Sequence, residues 1–224
     1  MFFALYKAPM PNKETAIKHT TLLATFLLIV WGFYRMLFKL PVEIEELFVK
    51  PLIWLVPVYF LVKKEKGNLG SLGVTTKNLF PSLYLALALG VLFALEAVII
   101  NFVKYESIDF SANLGQDPFL IALGLSFATA VSEEIAFRGY LFNRVWRVLG
   151  DEWRANLITS TIWALIHVPI AIFWWELNPT NTVLYLFLTT LFGIGSAWVF
   201  ARTKNVASSI LLHVLWEWPI ILFR

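Results

Sequence analysis

The stretch FLIALGLSFATAVSEEIAFRGYL, residues 119–141, decides what kind of protein this is. Thirteen uncharged residues, Phe119 to Val131, lead into Glu133 and Glu134, and Arg138 follows. A helix needs about 20 largely apolar residues to cross a hydrocarbon core, and this run supplies them. An ionised carboxylate near mid-membrane costs at least about 2.5–3.5 kcal/mol, so two in succession mark a functional position by default.

The rest of the chain agrees with a lipid solvent. Of 224 residues, 59% are hydrophobic and 15% charged, with a mean hydropathy of +0.72; an average soluble domain is roughly 25% charged. Apolar runs fall at Thr20–Phe38, Leu47–Val62, Leu79–Phe102, Phe119–Leu141, Leu157–Trp175, Val183–Ala201 and Val206–Phe223. They predict an all-α membrane protein, a polytopic bundle of about seven transmembrane helices, or eight with a half-span or interfacial helix. The runs leave no room for a soluble domain, so residues 1–224 read as one integral membrane domain without linker or repeat. Lys7, Lys13 and Lys18 precede the first run and no small-residue cleavage site follows, which predicts an uncleaved anchor. The absence of cysteine excludes disulfides, thiolate metal sites and a cysteine nucleophile.

The second run is the weakest, being short, with Lys50 near its start and two prolines, Pro51 and Pro57. Charge bias argues for keeping it as a span. With a cytoplasmic N-terminus, the inner segments hold Lys7, Lys13, Lys18, Lys63, Lys64, Lys66, Lys77, Arg144, Arg147, Arg154, Arg202 and Lys204, against Arg35, Lys39, Lys50, Lys104 and Arg224 outside. That asymmetry follows the positive-inside rule and gives the lysines and arginines a topological role. The net charge of +3 therefore carries no case for nucleic acid. Trp146 and Trp153 at one interface, and Trp174, Trp175 and Trp218 at the other, read as an aromatic belt. The helix bearing the glutamates is expected to continue past Phe142 into an amphipathic stretch along the headgroups.

Topology does not explain Glu96, His167, His213 and Glu217, which also lie in the spans. Counting along the helices, Glu133, His167 and His213 sit roughly 12–26 Å from the inner turns, close enough in depth to share a cavity. Glu134 and Arg138 are four apart, acid first, the favourable order for an ion pair on one face. Glu133 then points about 100° away, free of that pair. His213 and Glu217 are also four apart, a spacing that lets the acid fix the histidine's tautomer. Pro169 bends the fifth span, while Gly193 and Gly195 allow close approach by the sixth. Glu96 has no motif around it and reads as a bundle-facing polar contact.

A carboxylate and two histidines around water suit amide hydrolysis, with the carboxylate as general base and a polar group on the oxyanion. No Gly-x-Ser-x-Gly or His-Glu-x-x-His motif is present. Two histidines and one glutamate from three helices are also the ligand set of a zinc site, so a zinc-dependent version stays open and no other cofactor is expected. Two readings from other classes stand beside hydrolysis. One is a non-catalytic scaffold or immunity-type protein binding partner helices. The other is a proton or ion carrier, which the lack of repeated discontinuous helices weakens.

These residues resemble a known family. Glu133-Glu134-Ile-Ala-Phe-Arg138-Gly139 is similar to the Glu-Glu-x-x-x-Arg motif of the CAAX protease and bacteriocin-processing (CPBP, or Abi) family. Trp163-Ala-Leu-Ile-His167 resembles its Phe-x-x-x-His motif, with Trp for Phe, and His213-Val-Leu-Trp-Glu217 its His-x-x-x-Asn/Asp motif. The resemblance covers about residues 117–224, and the first hundred residues carry only hydropathy. It implies an intramembrane glutamate endopeptidase, opening toward the cytosol, that cuts a peptide or lipidated-peptide substrate entering from the bilayer. It implies Glu133 as general base, His167 as its partner on the water and His213 in the oxyanion site, with Glu134 and Arg138 bracing the first motif. Glu217 departs from the family, because an ionised glutamate has no donor where asparagine offers an N–H; Glu217 either donates in its protonated form or orients His213.

Overall fold

The computed structural model describes residues 11–106 and 119–222. Among these residues the secondary structure is entirely helical. Seven helical rods follow in order: α1 (Lys13–Leu37), α2 (42–64), α3 (Leu79–Tyr105), α4 (Leu120–Leu149), α5 (Glu152–Trp174), α6 (Pro179–Thr203) and α7 (Val206–Leu222). Five of them, α1, α3, α4, α5 and α6, contain stretches long and apolar enough to cross a membrane. The second and seventh predicted runs fall short of that measure over the described residues: the α-helical part of α2 is Lys50–Lys64, and the apolar stretch of α7 is Val206–Glu217.

Local chemistry sets the ends of the rods. Asn12 caps α1, Asp151 caps α5 and Asn178 caps α6 with Pro179 at its first position, each side-chain oxygen accepting a backbone N–H three residues on. Gly150 ends α4 in the left-handed region at φ 69°, where a side chain is disfavoured. Four rods contain wider π-helical turns, at Leu27–Trp31, Glu45–Val49, Ile135–Phe142 and Ile170–Trp174. Two of these adjoin site residues directly: one runs up to Lys50, and another starts after Glu134 and carries Arg138. Such turns are frequent at functional sites because they rotate the following side chains relative to an α-helix.

Packing places α7 at the centre of the motif-bearing half, against α3, α4 and α6, while α5 lies along α6. A Cβ added to Gly193 would stand 3.0 Å from that of Ser160, so the glycine is what lets α6 close on α5. The buried interior joins Trp31, Trp54, Phe137, Trp163, Phe192 and Trp216 in one aromatic core. Leu22, Phe33, Phe48, Leu52, Tyr84 and Leu92 face outward, as lipid contact requires. The tryptophans of the predicted belt are partly or largely exposed at Trp146, Trp153, Trp174 and Trp175; the side chain of Trp218 lies outside those described.

Candidate active site

The two neighbouring glutamates are held by different helices. Glu134 is fully buried. One of its oxygens accepts from Arg138 Nη1 at 3.1 Å and faces His213 Nδ1 at 2.8 Å. The other accepts from Ser196 Oγ at 2.7 Å. Arg138 completes its bonding with the Gly193 carbonyl at 3.2 Å and lies over the Trp163 ring. Glu134 thus ties α4 to α6 and α7, and the predicted four-residue ion pair is present.

Glu133, 4% exposed, turns toward α2 and α5. Its Oε1 pairs with Lys50 Nζ at 3.0 Å, and its Oε2 accepts from Trp163 Nε1 at 3.1 Å and lies 3.8 Å from His167 Nε2. Glu133 is free of the Glu134–Arg138 pair, as expected, and Lys50 gives it a cationic partner from the weakest predicted span. Trp163, where the family motif has Phe, adds an indole donor that Phe lacks, and its ring contacts both His167 and His213.

His167 stands where the regular part of α5 ends. Its backbone N–H bonds to Ala164 rather than continuing the α-helical ladder, and Pro169 has no N–H to offer. Its Nδ1 lies 2.7 Å from the Trp163 carbonyl. A carbonyl can only accept, so Nδ1 carries the hydrogen and, in the neutral ring, Nε2 presents a lone pair to Glu133.

His213, 2% exposed, has carboxylates at both nitrogens: Glu134 at Nδ1, and Glu217 Oε1 at 3.3 Å from Nε2. Glu217 also accepts from the Ser126 hydroxyl and keeps some exposure. The expected His213–Glu217 contact is present, while His213 bonds to Glu134 rather than Glu133. That bond also corrects the depth argument. Counting from the turns puts Glu134 about 24 Å from Gly150 but His213 about 12 Å from Asn205, yet the two touch. The turn at Asn205 is therefore the deeper one, with α4 projecting about 12 Å beyond it. Consistent with this, Asn205 is buried and donates to the Thr75 and Lys77 carbonyls.

Beyond Glu133 lies a buried charged chain, two of whose members, Arg35 and Lys50, the charge bias assigned to the outer surface. Lys50 also pairs with Glu46 at 2.6 Å; Glu46 lies 3.8 Å from Arg35, and Arg35 pairs with Glu45. All four are at least 92% buried, Glu46 being the most exposed at 8%. Arg35 and Lys50 are accordingly not outward-facing topological charges. The one sequence signal for this chain is the four-residue spacing of Glu46 and Lys50. A second buried network, at the far end of the helix that begins at Lys50, joins Glu65 to Arg144 Nη2 at 2.8 Å, to His19 at 3.0 Å and to Tyr140. It turns Arg144 away from the expected headgroup position into the protein. Glu96 is half-buried on α3.

Among the described residues no three His, Asp or Glu side chains converge as metal ligands. His213 is oriented between Glu134 and Glu217, while His167 holds a carbonyl with Nδ1 and leaves Nε2 facing Glu133.

Fold and site together define a polytopic, all-helical membrane protein with a buried carboxylate–histidine centre. Residues 115–219 match the family model described as type II CAAX prenyl endopeptidase Rce1-like, a match that supports a relation to the CAAX proteases over just under half of the chain. The matched region contains Glu133, Glu134, Arg138, His167, His213 and Glu217, but none of Arg35, Glu45, Glu46 or Lys50. No curated protein matches the chain.

Proposed function

We propose that this protein is an intramembrane endopeptidase in which Glu133 activates water to hydrolyse a peptide bond, of the CAAX prenyl protease type. One observation carries the mechanism: Glu133 Oε2 and His167 Nε2 face each other at 3.8 Å, and both are acceptors when the histidine is neutral. A water donating one hydrogen to each satisfies both, and leaves its oxygen lone pairs free for attack. As the oxygen bonds to the scissile carbonyl carbon, Glu133 takes a proton and later returns it to the leaving nitrogen as the C–N bond breaks. The products are a carboxylate and an amine.

His213 donates to the developing oxyanion through Nε2, whose present contact with Glu217 is the longer of its two. Glu134 orients the ring through Nδ1 and, with Arg138, holds the three helices in register, while Glu217 gives up Nε2 to the oxyanion. The substrate is a peptide or lipidated C-terminus arriving from the bilayer. Residues 1–224 act as one domain of seven spans with a cytoplasmic N-terminus and the site open to the cytosol. Burial of Arg35 and Lys50 supports that orientation, since it leaves only Lys39, Lys104 and Arg224 on the outer side of the charge bias.

The test is cleavage of a prenylated CAAX peptide and of membrane-segment peptides by detergent-purified protein, comparing wild type with Glu133→Gln and His167→Ala. Loss of about 10²–10⁴-fold in kcat is expected for each. Cleavage that survives Glu133→Gln rejects the mechanism, and sensitivity to chelators rejects its metal independence. A second reading, a non-catalytic scaffold, draws on the carboxylate at Glu217 in place of the family's donor. It predicts that no peptide is cut.

A further inference from the structure

We infer that Lys50 is a positioning residue of the active site, which fixes the catalytic carboxylate of Glu133 from a helix outside the family-matched region. The inference rests on the reading of Glu133 as the base. Lys50 is 3% exposed, and its ammonium lies 3.0 Å from Glu133 Oε1 and 2.6 Å from Glu46 Oε2. Glu46 alone does not account for it, because Glu46 has two other partners: Arg35 at 3.8 Å and the hydroxyl of Thr129 at 2.5 Å. Three buried carboxylates, Glu45, Glu46 and Glu133, share the two cations Arg35 and Lys50, and Lys50 is the cation that bridges to Glu133.

The geometry at Glu133 shows what the bridge does. Lys50 holds Oε1 from one side and the Trp163 indole holds Oε2 from another, so the carboxylate plane is set and the remaining face of Oε2 is aimed at His167 Nε2. Without Lys50 the carboxylate loses its anchor at Oε1 and can rotate about its terminal torsion, which is soft and roughly two-fold. The water held between Glu133 and His167 is then misplaced, and misplacement of about 1 Å is enough to cost about 100-fold in rate. The ammonium sits on the Oε1 side and acts through Glu133.

The experiment separates this role from simple charge balance. In Lys50→Met, Glu46 and Glu133 lose a shared cation, so loss of folding is expected along with loss of activity. The double variant K50M/E46Q removes one cation and one anion, keeps the net charge of the cluster and recovers the melting temperature in detergent. Its kcat on a prenylated CAAX peptide is expected to stay about 100-fold below wild type, with KM changed no more than about threefold. Near-wild-type kcat in the folded double variant, with Glu133→Gln inactive, overturns the role of Lys50; activity in Glu133→Gln overturns the reading of Glu133 instead.

A readout independent of turnover comes from infrared spectroscopy. The wild-type minus Glu133→Gln difference identifies the Glu133 carboxylate band. That band is expected to shift in K50M/E46Q, relative to the same difference taken in Glu46→Gln. An unshifted band overturns the inference whatever the substrate.

Discussion

Replacing Glu134 by glutamine is expected to cost more stability than any other single change in the motif-bearing helices. Glu134 is fully buried and is the only carboxylate within ion-pair distance of Arg138 among the described residues. Arg138 is itself 2% exposed, so E134Q leaves a guanidinium uncompensated inside the bundle. Breaking a buried pair from one side costs about 3–5 kcal/mol, a factor of roughly 100 to several thousand in the folding equilibrium. Gln at 134 still offers its one oxygen to Arg138 and His213, with its amide NH2 facing the Ser196 hydroxyl, so shape is nearly kept and the loss is of charge. The double variant E134Q/R138M removes both charges and puts an apolar chain of similar length over the Trp163 ring, and should regain at least half of the loss. Unfolding by SDS titration in mixed micelles, followed by tryptophan fluorescence, gives the comparison. A cost below about 1 kcal/mol for E134Q, or a double variant no more stable than the single, refutes the account of Glu134 as a structural keystone.

Three further outcomes follow from other parts of the molecule. Gly139→Ala would place a Cβ 2.7 Å from the backbone carbonyl oxygen of Leu72, an atom that cannot move cheaply, so a loss of about 1–3 kcal/mol is expected in the same unfolding assay. Glu65→Gln leaves Arg144 without its ion pair and weakens the bond to His19, so α1 should become the first site of limited proteolysis. At the turn between α6 and α7, burial pushes the Lys204 ammonium from its ordinary 10.5 down to about 8. The unfolded chain then binds more protons than the folded one between those values, and Lys204 makes stability rise with pH across that window. Lys204→Met should flatten the rise in melting temperature between about pH 8 and pH 10.5, and an unchanged pH profile contradicts this.

What was legible in the sequence was local along a helix. The Glu134–Arg138 pair, the His213–Glu217 contact, the break after His167 and the close approach at Gly193 all follow from residues within one turn or from a single backbone property. What was not legible depends on how each helix is rotated about its own axis. Hydropathy sees Lys50 as a charge at the end of a short apolar run and assigns it to the surface, but rotation of α2 points it inward at a glutamate 83 residues further on. Arg35, which the charge bias also put at the outer surface, is buried for the same reason.

By itself, the sequence determined a helical membrane protein, because an apolar run of this length has only its own backbone to satisfy its peptide groups in lipid. It also determined that Glu133 and Glu134 face different directions, since adjacent residues on a helix are separated by about 100°. Only the tertiary structure decided what each of them meets. Glu134 is held by Arg138, Ser196 and His213, while Glu133 is held by Lys50 and Trp163 and faces His167. The physical reason is that a buried charge must find its counter-charge across helix interfaces, and the partners there are set by the packing of α2, α4, α5, α6 and α7 rather than by spacing along the chain.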